Sequence, residues 1–283
     1  MNNSKSRRSK KIKWGVAGCG KFAEFSFIPN LLIARRGSLN AVFSNNLQRA
    51  KEVGEKFGVL NFYNNFDEFL QSDINAVYVS SANSHHYEQV IKAAEAKKNI
   101  FCEKPLAVTS QQAKEMVEAC NKNNVLLAVD YVHRAHPLII KAKEIVDSQM
   151  LGKLLSVNVN FNIDIPPSSN FRYSKTLSGG GALRDIGTHM IDLLRFFGGE
   201  IKSINGVVDN IIYKAEVDDF ASAIVGFEKS GYGYFNVSYS SKKGFNRIEI
   251  LGHKGALSIE KLIANKHVPS KMTILLDGEA KKS

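Results

Sequence analysis

Three groups of residues in this 283-residue chain could do chemistry. The first is Glu103-Lys104-Pro105. It follows Asn99-Ile100-Phe101-Cys102, a short β-type run, so Lys104 reads as held at the carboxyl end of a buried strand, where open α/β sheets bind ligands. Pro105 fixes its own backbone and restricts that of Lys104, so the amine can be aimed. The second group lies in Gly179-Gly180-Gly181-Ala182-Leu183-Arg184-Asp185-Ile186-Gly187-Thr188-His189-Met190-Ile191-Asp192. Asp185, His189 and Asp192 stand at i, i+4 and i+7, one stripe of a helix. Ile186, Met190, Leu193 and Phe197 form the apolar stripe beside it. Histidine is the usual proton carrier near neutral pH, and a carboxylate one turn away can orient it and hold its charge. Three glycines before the helix and Gly187 within it are costly, which implies close approach by a ligand or another backbone. The third group is Gly18-Cys19-Gly20-Lys21-Phe22-Ala23 after the strand Trp14-Gly15-Val16-Ala17. This G-x-G-x-x-A in a strand-to-helix context is a dinucleotide fingerprint. Gly18 makes the tight turn, Gly20 admits a diphosphate, and Ala23 keeps helix and strand close. Each group has an ordinary alternative: a surface lysine before a loop proline, an Asp–His pair on a solvated face, a glycine turn without a ligand.

Elements that position these groups can be read on either side of them. Pro29 is expected to kink or restart the first helix. Ser38–Phe43 reads as the second strand and ends at Ser44-Asn45-Asn46, where the fingerprint's ribose contact falls. An acid there would favour NAD; none is present, and Arg49 lies one turn into the next helix. Helices are expected over 48–57 and 67–70, a strand over 75–80, and a helix from the polar loop 81–86 through Lys97. A last strand–helix pair is Val125–Val129 and Pro137–Val146. Alternating β and α elements predict a parallel, doubly wound sheet. From Lys153 the pattern changes to period two, over Leu154–Phe161, Phe220–Phe227, Gly231–Tyr239 and Phe245–Leu251. That texture predicts an antiparallel sheet with one covered face. The expected organisation is a basic disordered tail over 1–11, a dinucleotide-binding domain over 12–134 and an α/β domain over 135–283.

Composition sets bounds on class. The 44% hydrophobic and 10% aromatic content is that of a globular protein with a core. No apolar run approaches roughly 18 residues, so no membrane helix is expected. Cys19, Cys102 and Cys120 have neither paired nor CxxC spacing, and His85-His86 lack partners at ligand spacing, so no disulfide framework and no metal site are expected. A reducing cytoplasm fits. The net charge of +11 owes much to Lys5, Arg7, Arg8, Lys10, Lys11 and Lys13. They read as a solvated tail, since no nucleic-acid-binding motif accompanies them. Ser6-Arg7-Arg8 is not read as an export signal, because Ile12–Val16 runs straight into the glycine turn. A basic surface favours anionic ligands, including a phosphorylated cofactor.

The dinucleotide turn, then Glu-Lys-Pro, then Gly-Gly-Gly-x-Leu-x-Asp-x-Gly-x-His-x-x-Asp resembles the Gfo/Idh/MocA oxidoreductases from about Ile12 to Glu260. The resemblance implies a Rossmann domain followed by an α/β domain with a large open antiparallel sheet. It implies hydride transfer between NAD or NADP and a hydroxyl-bearing carbon of a sugar, cyclitol or related diol. Carried over by residue, Gly18, Gly20, Lys21 and Phe22 match the diphosphate turn. Ser44 and Asn45 match the ribose-selecting pair, with Asn where NADP users commonly have Arg. Asn83 and His86 match a Pro-Asn-x-x-His loop, with Ala82 in place of the proline. Glu103 and Lys104 match the nicotinamide-side pair, and Pro105 is expected after a cis peptide. Arg134 and Arg172 are implied substrate contacts, and Asp185 and His189 the active-site carboxylate and acid/base. Lys104, Asp185 and His189 are the implied catalytic set; Asp192 is implied as an acid that supports the helix. The cofactor leans to NADP on charge. The implied assembly is a homodimer or homotetramer. Relatives commonly continue for another helix and strand beyond the Lys281-Lys282-Ser283 at which this chain stops. The alternative is a non-catalytic NAD(P)-binding sensor of the same fold, and binding of nucleic acid through the tail is a weaker third reading.

Overall fold

The computed structural model describes residues 11–262 and 269–277. The basic tail expected over 1–11 lies outside the described residues save Lys11. The chain divides into two compact units, the first ending at Asp130 and the second beginning at Tyr131.

In the first unit six parallel strands lie in the order β3-β2-β1-β4-β5-β6. They are β1 (Ile12–Ala17), β2 (Gly37–Phe43), β3 (Phe62–Tyr63), β4 (Ala76–Val79), β5 (Asn99–Cys102) and β6 (Leu127–Val129). The order reverses between β1 and β4, so a crevice opens at the carboxyl ends of those two strands. β4 reads Ala-Val-Tyr-Val and is buried throughout, as a central parallel strand covered on both faces must be. A π-helical turn, Ala23–Phe27, runs into α1 (Ile28–Ile33). Pro29 falls in the first turn of α1, where its missing N–H costs no hydrogen bond, so it restarts the helix as expected. Then come α2 (Leu47–Lys56), α3 (Phe66–Gln71), α4 (Asn83–Glu95) and α5 (Ser110–Lys122). Asn46, Asn65 and Thr109 cap α2, α3 and α5 by accepting from backbone N–H groups of their first turns. One sheet face buries Val77, Val79, Val90, Ile100 and Met116; the other buries Val16, Ile28, Val42, Val53 and Tyr78.

The second unit opens with a 3-10 turn, Val132–Ala135, and α6 (Pro137–Asp147). A second 3-10 turn (Phe171–Tyr173), the one-turn α7 (Lys175–Ser178), a π-turn (Leu183–Gly187) and α8 (Thr188–Gly198) follow the strand β7 (Leu154–Asn162). The remaining strands are β8 (Ile201–Asp209), β9 (Phe220–Phe227), β10 (Tyr232–Ser238), β11 (Arg247–Gly252), β12 (Gly255–Glu260) and β13 (Lys271–Leu276). Their seven-stranded sheet has the order β13-β12-β11-β7-β10-β9-β8. It is antiparallel except for β7 and β10, which pair in parallel. The alternation read in Leu154–Phe161 holds: Val157, Val159 and Phe161 are buried, while Ser156, Asn158 and Asn160 face outward. α8 lies on the buried face over β7 and β10, with Ile186, Met190, Leu193 and Phe197 all turned inward.

Candidate active site

At the carboxyl end of β1, Gly18 has φ +106°, and a Cβ there would stand 2.6 Å from the backbone of Ser80 and Ser81. Only glycine fits that turn. Ser80 Oγ donates to the Gly18 carbonyl at 2.9 Å, fastening the turn to the end of β4. A Cβ on Gly20 would meet nothing within 4 Å, Lys21 and Phe22 are exposed, and Ala23 is fully buried. The first helical N–H groups therefore adjoin open space with no side chain over Gly20. A dinucleotide's diphosphate fits this turn and its helix end.

Beside it, the buried Glu24 carboxylate accepts from Arg49 Nη2 and from Lys56 Nζ, the latter at 2.6 Å. Those bonds from Lys56 and Arg49 hold the Glu24 carboxyl below its usual range. Arg49 Nε donates to the Cys19 carbonyl at 2.9 Å, so this arginine is pinned to the glycine turn. Ser44 and Asn45 follow β2 at its carboxyl end, and Ser44 Oγ accepts from the Asn46 N–H at 3.2 Å.

At the end of β4, Ala82 precedes α4, and Asn83, its first residue, is buried. His86 has no exposed surface. Its Nδ1 lies 2.9 Å from the Pro105 carbonyl and its Nε2 3.2 Å from the Ser81 carbonyl. Burial pushes this imidazole's pKa down. A side chain so enclosed bridges the Ser81 loop and the Lys104–Pro105 turn, its neutral ring donating one N–H to one of the two carbonyls. The Lys104–Pro105 peptide is cis, as expected. Glu103 Oε1 accepts from the Tyr78 hydroxyl at 2.5 Å and Oε2 from the Lys104 N–H at 3.2 Å.

In the second unit the expected single helix is broken differently. Gly179, at φ +76°, ends α7, and the chain re-enters helix through a π-turn over 183–187. That wider turn falls between Asp185 and His189, so their spacing is not that of the regular α stripe. Asp185 Oδ2 accepts from Arg172 Nε at 2.8 Å and from the Tyr239 hydroxyl at 2.5 Å. Arg172 thus braces the carboxylate it was expected to accompany. Tyr239 is fully buried; burial and the Asp185 charge push its phenol far up, which keeps it a donor. His189, nearly buried, meets the rings of His133 and Tyr131 edge-on, with centroids 4.5 and 6.2 Å away. Asp192 holds Arg134 bidentately, at 2.7 and 2.6 Å, and the guanidinium lies over the Phe196 ring. That edge of Arg134 is spent on the helix, as the reading of Asp192 as a helix-supporting acid requires.

Asp218 and Asp219 had no signal in the sequence beyond being adjacent acids before a strand. Asp218 accepts from the Gly181 and Leu183 N–H groups at 2.7 and 2.8 Å, and its carbonyl accepts from Ala182 N–H at 2.9 Å. A Cβ on Gly181 would lie 1.8 Å from that carbonyl oxygen. The close approach inferred from the glycines is therefore made by backbone. Asp219, fully buried, accepts from the N–H groups of Ile211, Ile212 and Tyr213, each at 2.8 Å. Burial opposes its charge, but those N–H bonds win and hold the carboxyl below its ordinary value. Its carbonyl accepts from Tyr239 N–H at 2.8 Å, so the acid pair anchors both the start of the His189 helix and the tyrosine that braces Asp185.

Residues 12–131 match the model of an oxidoreductase family with an NAD-binding Rossmann fold, and residues 139–258 match the GFO/IDH/MocA C-terminal domain. An oxidoreductase of Formosa agariphila is 30% identical over 257 residues, spanning 88% of this chain and 79% of the relative. The myo-inositol 2-dehydrogenase of Thermotoga maritima is 30% identical over 254 residues, spanning 87% and 74%. The crystal structure of an aldose–aldose oxidoreductase from Caulobacter crescentus, complexed with glycerol, superposes with a TM-score of 0.88 at 27% identity, covering 95% of this chain and 82% of that one. The class defined by this fold and these matches is the NAD(P)-dependent dehydrogenases. Within it, the chain belongs to the Gfo/Idh/MocA family.

Proposed function

We propose that the chain interconverts a secondary alcohol and a ketone on a sugar, cyclitol or related polyol, with Lys104 and His189 both acting in the chemical step. The observation that carries this is the support built for the acid/base pair. Asp185 is braced by Arg172 and a buried Tyr239, and the helix bearing His189 is clamped at its start by Asp218. Buried polar networks of that kind are costly unless complete, and a solvated Asp–His pair needs none. The names of the myo-inositol dehydrogenase and the glycerol complex point to the same substrate class.

A nicotinamide dinucleotide, its diphosphate held at the turn of Gly18 and Gly20, would supply the hydride acceptor or donor. The side chains do the rest. His189 takes the hydroxyl proton in oxidation and returns it in reduction. Lys104 places positive charge where alkoxide character develops, which lowers the transition state more than the ground state. Asp185 orients the substrate or the imidazole. The ribose end leans to NADP, because Ser44-Asn45-Asn46 offers no acid to repel a 2′-phosphate. There Arg49 and Lys56 share Glu24, and Arg49 also lies 3.6 Å from Glu52.

Fluorescence titration with NADH and NADPH, followed by absorbance at about 340 nm over a panel of polyols and aldoses with NAD+ or NADP+ as the oxidant, tests the proposal. Expected are binding of both, tighter for NADPH, and turnover on at least one polyol. Binding without turnover on any member would instead mark a sensor, and tighter NADH would reverse the cofactor lean.

A further inference from the structure

Arg49 and Lys56 stand at i and i+7 of α2, on one face of the helix and about two turns apart. Both side chains meet the buried Glu24, which lies on the π-helical turn after Gly20. Glu24 Oε2 accepts from Arg49 Nη2, and Glu24 Oε1 accepts from Lys56 Nζ at 2.6 Å. One carboxylate therefore spans two cations. Lys56 is fixed further by aromatic faces, its ammonium lying 4.7 Å from the Phe25 ring centre and 5.5 Å from that of Phe57. Arg49 has a partner at each guanidinium nitrogen: Nε on the Cys19 carbonyl at 2.9 Å, Nη2 on Glu24, and Nη1 at 3.6 Å from Glu52. Yet 33% of its side-chain surface is exposed, so a ligand can reach it.

Cys19 is the middle residue of Gly18-Cys19-Gly20, and α2 begins directly after Ser44-Asn45-Asn46. In a dinucleotide-binding sheet the adenosine ribose lies between two such segments, and an arginine nearby accommodates the 2′-phosphate of NADP. Asn46 Oδ1 accepts from the Arg49 N–H at 3.1 Å, which fixes the backbone that carries the guanidinium. The bonds from Lys56 and Arg49 lower the pKa of Glu24, so its charge is present at neutral pH. The formal charges of Arg49, Lys56, Glu24 and Glu52 then cancel. A 2′-phosphate arriving here must draw Arg49 away from Glu24 or share it.

We infer that Glu24 is a cofactor-selectivity residue: by holding Arg49, it restrains the preference of this site for NADPH over NADH. Glu24 acts through Arg49 and is a positioning residue. The inference rests on the dinucleotide-binding dehydrogenase reading and names the side chain that sets how far the ribose end leans to NADP. Replacing the carboxylate by an amide of the same shape removes a negative charge beside the guanidinium and leaves more of the arginine's charge for a phosphate. NADH carries no 2′-phosphate and gains nothing.

Fluorescence titration of the whole chain with NADH and NADPH at low ionic strength tests this, read as the ratio of the two Kd values in each variant. Both nucleotides meet the same preparation, so a reduced folded fraction cancels from the ratio. Glu24→Gln is expected to tighten NADPH by about fivefold while NADH stays within about twofold, and the gain shrinks at high salt. Arg49→Gln lowers the NADPH preference by about tenfold, and adding Glu24→Gln to it restores none of the loss. Lys56→Gln, at a side chain 46% exposed, is the variant that spares the fold. It leaves Glu24 to Arg49 alone and lowers the preference by about twofold, only where Arg49 is present. An unchanged ratio in Glu24→Gln, or a gain that persists without Arg49, overturns the inference and leaves the dehydrogenase reading standing. Should Glu24→Gln not fold, a ratio that Lys56→Gln leaves unmoved, or moves equally without Arg49, overturns it instead. If neither nucleotide binds the unaltered chain, the inference falls together with that reading.

Discussion

Replacing Lys104 by Met lowers kcat by about 100-fold while NADH affinity stays within about threefold of wild type. Methionine nearly matches the lysine in length and removes only the charge and the donors. The backbone that aims the side chain is set by the Lys104–Pro105 turn and by His86, which grips the Pro105 carbonyl, so the turn survives the substitution. The loss therefore falls on the step where negative charge grows on the substrate oxygen. About 100-fold corresponds to roughly 2.7 kcal/mol, within the range for deleting one electrostatic donor from an active site. Stopped-flow kinetics checks it, with cofactor fluorescence as the control. Near-normal turnover would remove Lys104 from the mechanism.

The largest effect on stability is expected at Asp219. Asp219→Asn destabilises the second unit by about 3 kcal/mol, and its thermal transition falls by roughly 6–12 °C. The carboxylate has no exposed surface and satisfies three backbone donors at 2.8 Å. Asparagine keeps the volume but brings one acceptor and an NH2 group that faces an N–H. The turn before β9 is then left with buried donors unpaired, and Tyr239, whose backbone hangs on the Asp219 carbonyl, loses part of its anchorage. The pH dependence has a definite sign. The folded-state carboxyl is held below its ordinary value, so the stabilisation is present above the unfolded value and lost as pH falls through the folded one. The asparagine variant lacks that acid limb. Calorimetric scans of both proteins across acid pH give the comparison, and superimposable profiles would show that the three bonds carry no net stability.

How much of this was legible in the residues differs between the units. The first unit could be read almost strand by strand, because its parallel sheet is built from continuous apolar runs such as Asn75–Val79 and its turns from glycine. In the second, the strands of strict alternation were legible, but β8, β12 and β13 were not. β8 is an edge strand, exposed along nearly its whole length, with Asn205-Gly206 reading as a turn. Its core-side alternation has no apolar contrast to reveal it. The parallel pairing of β7 with β10 joins segments far apart in sequence, and no local pattern encodes it.

Within the candidate site, residue types singled out Lys104, Asp185 and His189, but not what their neighbours touch. Tyr239 looked like any strand residue until its hydroxyl was seen on Asp185. Spacing could not show that His86 is enclosed, that Arg134 is spent on Asp192, or that Gly181 makes room for the Asp218 carbonyl. Those facts depend on partners distant in sequence. The π-turn over 183–187 was equally hidden, since an α-helical period fits the same letters.

The central proposal is that Lys104 and His189 act in one chemical step, and a double-mutant cycle on kcat measures it most directly. If the claim holds, Lys104→Met and His189→Asn each cost about 100-fold, and together they cost little more than the worse of the two, because groups that act as a unit are not additive. Losses that multiply to about 10,000-fold, as for independent sites, would contradict it.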